Sequence, residues 1–190
     1  MHLGKMVDGE FTDLGLDQAF DVVPVRSGTL DGASPAEYAS FMQELASMQR
    51  AVLGAQETID ESVKKLRAIQ EALLRTTVGD ASLDEEARAM ERDFLDLRER
   101  LAGDRQRRMM GDPGPVSVAR RLNVAVSGTA QSTYGPTATH LQGLAIAREE
   151  FEQIRSLLDD LLEAALPALE QRLDAAGVPW TPGRGVPPLD

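Results

Sequence analysis

Three features of the 190-residue sequence predict a mainly α protein: an antiparallel bundle of three to four helices, two of them long, behind a short β-strand segment. Apolar residues recur at heptad spacing through two long stretches. Capping signatures stand at the heads of those stretches. Aromatic residues are only 4% of the chain, and Leu, Ala and Val supply most of the apolar content. Helix-built cores have that composition, because sheets favour aromatic and β-branched side chains.

The first 33 residues differ from the rest. Lys5-Met6-Val7 and Glu10-Phe11-Thr12 flank Asp8-Gly9, a dipeptide that suits a type I′ hairpin turn. Ala19 to Val25 then alternates apolar and polar up to Pro24, which predicts an edge or final strand. Such a segment reads as the last strands of a larger sheet, or as one packed on the helices. Ser27 to Ala33 reads as a linker.

Ser34-Pro35-Ala36-Glu37 is a capping box with Pro at the first helical position. From there Tyr38, Leu45, Val52, Ile59, Leu66 and Leu73 recur at sevens. Phe41, Met48, Ala55 and Ile69 fill the intermediate positions, and only Ser62 interrupts that row. The spacing predicts a helix of about 40 residues, roughly 60 Å long, stopping near Gly79. A second box, Ser82-Leu83-Asp84-Glu85, opens a helix of about 22 residues whose seam is Leu83, Ala87, Met90, Phe94, Leu97 and Leu101.

Residues 104–115 read as a connection ending in Asp112-Pro113-Gly114-Pro115. Pro115 opens a short third helix through Val118, Leu122 and Val126, which Gly128 ends. The last helix starts near Thr137 or Thr139 and runs toward Gly177. Its seam is Leu144, Ala147, Phe151, Ile154, Leu158, Leu161, Ala165 and then Ala168 or Leu169. Pro167 is expected to kink or divide it. Two short helices end to end match one long helix, so an antiparallel bundle with a broken middle member fits, and a four-helix bundle is the alternative. The chain thus divides into a strand segment with linker (1–33), a helical bundle (34–177) and a Pro/Gly-rich tail (178–190).

Composition narrows the chemistry. With 31 acidic and 20 basic residues the formal charge is −11, which argues against a nucleic-acid or anionic-membrane surface. No apolar run is long enough to span a bilayer, so no membrane insertion is expected. There is no Cys and there are two His residues, which removes thiolate chemistry and leaves little for His-based metal sites. No catalytic residue, cofactor or metal is expected: Walker-type loops, His-Glu-x-x-His and Gly-x-Ser-x-Gly do not occur. Glu149-Glu150 and Asp159-Asp160 are adjacent pairs that diverge by about 100° around a helix, and so read as solvated faces. Arg105, Arg107, Arg108, Arg120 and Arg121 form the one basic concentration, paired on the simpler reading with acidic helices of this chain. Met109-Met110 reads as an apolar plug. His140, in the first turn of the last helix, reads as a capping or packing residue. Trp180, between Pro179 and Pro182, either covers the bundle end or anchors a partner.

Four stretches carry a family likeness: Pro115 to Leu122 (PVSVARRL), Thr133 to His140 (TYGPTATH), Ala147 to Phe151 (AREEF), and Leu169-Glu170 through Ala176-Gly177-Val178-Pro179-Trp180-Thr181-Pro182-Gly183-Arg184. Together they resemble the C-terminal region of large bacterial proteins classed as glycosyl hydrolases with BNR or sortilin-type β-propeller repeats. That resemblance implies a propeller and a small β-sandwich upstream, with Lys5 to Val25 as the sandwich's end, and an exported location. This chain lacks the propeller, its Asp-box repeats and any matching glycosidase carboxylate, so hydrolase activity is not carried to any residue here.

The expected function is a non-catalytic helical scaffold or interaction module. Its expected partners are upstream propeller or β-sandwich domains, or a second copy of the chain. In the alternative reading Arg120, Arg121, His140, Trp180 and Arg184 bind a glycan in a site shared with upstream domains.

Overall fold

The computed structural model describes residues 2–21, 23, 31–77, 81–112, 114–132 and 134–186. Contacts divide the chain into two units, residues 1–31 and 32–190.

The first unit is a hairpin of β1 (His2–Val7) and β2 (Glu10–Asp17), paired antiparallel from Val7↔Glu10 outward. Asp8 and Gly9 both take positive φ, 52° and 83°, as a type I′ turn requires. The register shifts between Leu3 and Gly4, where Leu14 and Gly15 bulge out, and the Asp13 carboxylate accepts the Gly15 N–H at 2.8 Å. The Phe11 ring lies over Gly4, where no Cβ obstructs it. The third strand expected from Ala19 to Val25 is not found: Ala19, Phe20, Asp21 and Val23 are in no strand, and the remainder lies outside the described residues. Period-two alternation makes a strand only against a partner, and among the described residues none pairs with Ala19, Phe20, Asp21 or Val23.

The second unit begins with α1 (Pro35–Arg75), headed by the expected capping box: Ser34 Oγ accepts the Glu37 N–H, and Glu37 Oε2 accepts the Ser34 N–H at 2.8 Å. Its buried face holds Phe41, Leu45, Met48, Val52, Ile59, Leu66 and Ile69. Ser62, the polar interruption, is buried without penalty because its hydroxyl donates back to the Thr58 carbonyl at 2.8 Å. α2 (Ala81–Ala102) buries the whole predicted seam from Leu83 to Leu101. It begins at Ala81, so Ser82 lies in the first turn, where its hydroxyl accepts from Arg172.

The predicted connection contains a five-residue helix, α3 (Arg105–Met109), started by Asp104, whose carboxylate accepts the Gln106 and Arg107 N–H groups. Met109 and Met110 are exposed there, not a plug. α4 (Val118–Ala130) begins at the Ser117 cap, later than Pro115, and runs through Gly128. It buries Val118, Leu122, Ala125 and Thr129, with Val126 only partly covered.

α5 (Ala138–Asp160), a π turn (Leu161–Ala165) and α6 (Leu166–Ala175) follow without a break. Pro167 therefore does not divide the helix. The Leu166 N–H reaches the Leu161 carbonyl, and this wider turn inserts one residue just where a proline ring would crowd an α-turn. The insertion also resets the seam. Three-four spacing from Leu158 would bring Ala165, Ala168 and Arg172 inward; the structure buries Leu166, Leu169 and Leu173 instead.

Ion pairs fix the directions. Arg67–Glu91 (2.7 Å) and Arg98–Asp60 (3.3 Å) set α2 antiparallel to α1. Arg148–Glu44 (3.2 Å) and Lys65–Glu170 (2.6 Å) set the α5–α6 rod parallel to α1. The end of α2 meets the start of α4, since Gly103 lies against Ser117. The unit is thus a three-rod bundle whose middle rod is α2 followed by α4, around one continuous core.

Candidate binding surfaces

The structure brings three of the five predicted residues together. Arg120, Arg121 and His140 line a groove of about 260 Å³ between α4 and α5, with Val116, Val124 and Thr139 beside them. Local folding determines what each can do. Thr137 caps α5 by accepting the His140 N–H at 3.4 Å, and His140 Nδ1 accepts the Thr137 N–H at 3.3 Å, the part a Glu or Gln plays in an ordinary capping box. The imidazole also sits 3.4 Å from the Thr129 hydroxyl and directly over Gly128. Arg121 forks onto Glu150 through Nε (3.1 Å) and Nη2 (3.2 Å), a bidentate geometry. Arg120 is exposed and has no ion-pair partner among the described residues. The groove therefore offers an anion one unengaged guanidinium.

Trp180 and Arg184 lie elsewhere. α6 ends in a Schellman motif: Gly177 takes φ 69°, the Val178 N–H bonds the Leu173 carbonyl, and the Gly177 N–H bonds that of Asp174, both at 3.0 Å. Thr181-Pro182-Gly183-Arg184 then forms a type II turn, closed by the Arg184 N–H on the Thr181 carbonyl at 3.2 Å, with Gly183 at φ 88°. The turn lies against Lys65 of α1. The Arg184 side chain is only 3% exposed; it pairs with Asp174 and donates to the Pro179 carbonyl at 3.1 Å. Trp180 donates its indole N–H to the Gly185 carbonyl, and the residue stays 56% exposed. Residues 178–186, though without regular structure, are thus stitched onto the bundle. His140 and Asp174 stand at opposite ends of the α5–α6 rod, about 50 Å apart at 1.5 Å per residue. The five residues do not form one site.

Two of the five clustered arginines pair with acids of this chain among the described residues. Besides the Arg121 fork, Arg107 pairs with Asp112 (2.9 Å) and Glu99 (3.5 Å). The Gly114 N–H and Arg107 hold the Asp112 carboxyl below its usual pKa. Between α1 and α2, burial acts to raise the Glu91 pKa, but hydrogen bonds from Gln70 (2.8 Å) and Arg67 (2.7 Å), with the charges of Arg67 and Arg88, outweigh it and leave it lowered. Among the described residues there is no group of three His, Cys, Asp or Glu placed to hold a metal, and no helix long and apolar enough to cross a membrane.

A further surface was not among the predicted candidates. A cleft between α2 and the α5–π-turn segment encloses about 320 Å³, lined by Leu97, Leu157, Leu161 and Ala165 and edged by Asp93, Asp96, Asp160 and Arg100. The spacing of Asp93, Asp96 and Arg100, three and four apart, places them on one face of α2. That signal was legible, but the seam beside it gave no reason to single it out.

No family model, curated protein or solved structure matches the chain. The likeness of residues 113–184 to propeller-associated C-terminal regions thus rests on the quoted residues themselves.

Proposed function

We propose that the chain is a non-catalytic interaction module, a helical bundle carrying a β-hairpin that pairs with a β-rich partner domain. The exposure of the hairpin carries the reading. Every described residue of β1 and β2 is exposed, Leu3, Met6, Phe11 and Leu16 included, whereas the helical unit buries its own seams. A lone two-stranded ribbon is marginal in water. Its outer edges also leave backbone N–H and C=O groups ready to template another strand. A β-sandwich or propeller-associated sheet, the partner the resemblance implies, would cover the apolar side chains and pair those edges.

Sedimentation velocity of the full chain, alone and with a propeller–sandwich fragment from a protein of the resembled kind, tests this. The expected result is a complex that the Phe11→Asp substitution removes. A chain that stays monomeric beside the fragment, or a complex indifferent to Phe11→Asp, overturns it.

A further inference from the structure

The π turn does more than reset the core. With Leu166, Leu169 and Leu173 turned inward, Leu161 and Ala165 stay only partly covered at the edge of the core, where they also line the α2–α5 cleft. There they join Leu97 and Leu157, the latter 45% exposed. The floor is apolar and the rim is not. Asp93, Asp96 and Asp160 edge it against one cation, Arg100, and none of these four has an ion-pair partner among the described residues. Toward the junction of α2 and α4 the cleft widens into a cavity of about 530 Å³, which shares Asp96 and Arg100 and adds Asp104, together with Glu99 and Glu150, whose charges Arg107 and Arg121 already meet, so the unpaired rim is that of Asp93, Asp96 and Asp160. From Glu150 to Ala165 the two cavities run about 22 Å along the rod, or about four helical turns.

We propose that this cleft docks a basic amphipathic helix of about 15 residues from a partner protein. The proposal names a partner for the interaction-module reading and rests on it. An apolar floor takes Leu- or Phe-type anchors at i, i+4 and i+7. Carboxylates lacking counter-ions of their own take the Lys and Arg that flank such anchors. A second copy of this chain is the poorer occupant, because two molecules of formal charge −11 repel.

The test titrates the full chain into a labelled peptide of about 15 residues with Leu on one helical face and Lys on both flanks. A peptide of the same composition with the Leu residues dispersed is the control. Fluorescence anisotropy should show the amphipathic peptide binding about tenfold more tightly than the dispersed one, and more weakly as salt screens the rim. The triple substitution Asp93→Asn, Asp96→Asn, Asp160→Asn should lower its affinity about tenfold, and Leu157→Gln should do likewise. Removing the same charge outside the cleft, with Glu57→Gln, Glu61→Gln and Glu149→Gln, should change it by less than about twofold. Circular dichroism of each variant separates lost binding from lost folding. Equal binding by the two triple variants, or by the two peptides, overturns the proposal. So does a concentration-dependent dimer that Leu157→Gln abolishes, since a second copy would then be the occupant. Phe11→Asp leaves peptide binding intact, so failure of the cleft and failure of the hairpin are read separately.

Discussion

Replacing Gly128 by Ala should destabilise the protein, although Ala is the better helix former. Gly128 lies inside α4, where the exchange ordinarily stabilises by about 1 kcal/mol. Here, however, a Cβ would stand 2.5 Å from Cε1 of His140, and nearer still to Nε2. The ring must move away, and in moving it gives up the Nδ1 acceptor for the Thr137 N–H and its contact with Thr129. A lost cap costs about 0.5–2 kcal/mol, and the ring's lost packing on α4 adds about 1 kcal/mol. The net is about 1 kcal/mol of destabilisation, roughly 2–4 °C in Tm for a chain of this size. With His140→Ala the obstacle is gone, so the same glycine substitution should then stabilise by about 0.5–1 kcal/mol. Urea unfolding of the four proteins, followed at 222 nm, completes the cycle. If Gly128→Ala stabilises both backgrounds equally, the imidazole does not rest on α4 and the capping account of His140 fails.

Other consequences are equally open to measurement. Arg184→Ala should cost about 1–2 kcal/mol, discounted because its partner Asp174 is partly exposed, and should make residues 178–186 sensitive to limited proteolysis; unchanged resistance would refute the stitching of the tail. Glu91 has a pKa lower in the fold than its ordinary value of 4.5, so its contribution is fully present above that value and is lost as pH falls through the lower, folded-state value. The stability difference between the native protein and Glu91→Gln should therefore be constant near neutrality and shrink in acid, and a difference that grows there would contradict the assignment. Deleting Glu163 together with Pro167→Ala should leave a folded protein, because it removes the inserted residue and keeps Leu166, Leu169 and Leu173 in register. Deleting Glu152 instead should rotate the seam beyond it by about 100° and collapse the thermal transition, so comparable melting of the two would refute the register argument.

Much of the fold was legible because its causes are local. Asp8-Gly9 demands positive φ wherever it sits in a hairpin, and Ser34 through Glu37 caps a helix without help from afar. The seams of α1 and α2 persist over so many turns that only helices packed lengthwise can bury them. Gly128 was misleading for the opposite reason. A glycine before a polar stretch resembles a helix stop, and only the arrival of His140 from another helix shows that it makes room. Met109-Met110 resembled a plug because apolar content says nothing about where a five-residue helix will face. Among the candidate residues, the pairing of Arg121 with the acidic last helix followed from charge alone. That Arg184 is buried did not, since the turn that folds it back gains its value by lying on α1.

The sequence by itself determined the helical class, the hairpin turn and the first two seams. Each follows from capping, turn chemistry or periodicity acting within a few residues or along one helix. The tertiary structure decided where the register slips, which glycine admits a neighbour, and which carboxylates are left without counter-ions. Those outcomes depend on what faces a residue across the bundle. At Ala165 the two levels meet: its heptad position assigns it to the core, but the extra residue in the turn buries Leu166, Leu169 and Leu173 instead and leaves it only partly covered beside the cleft.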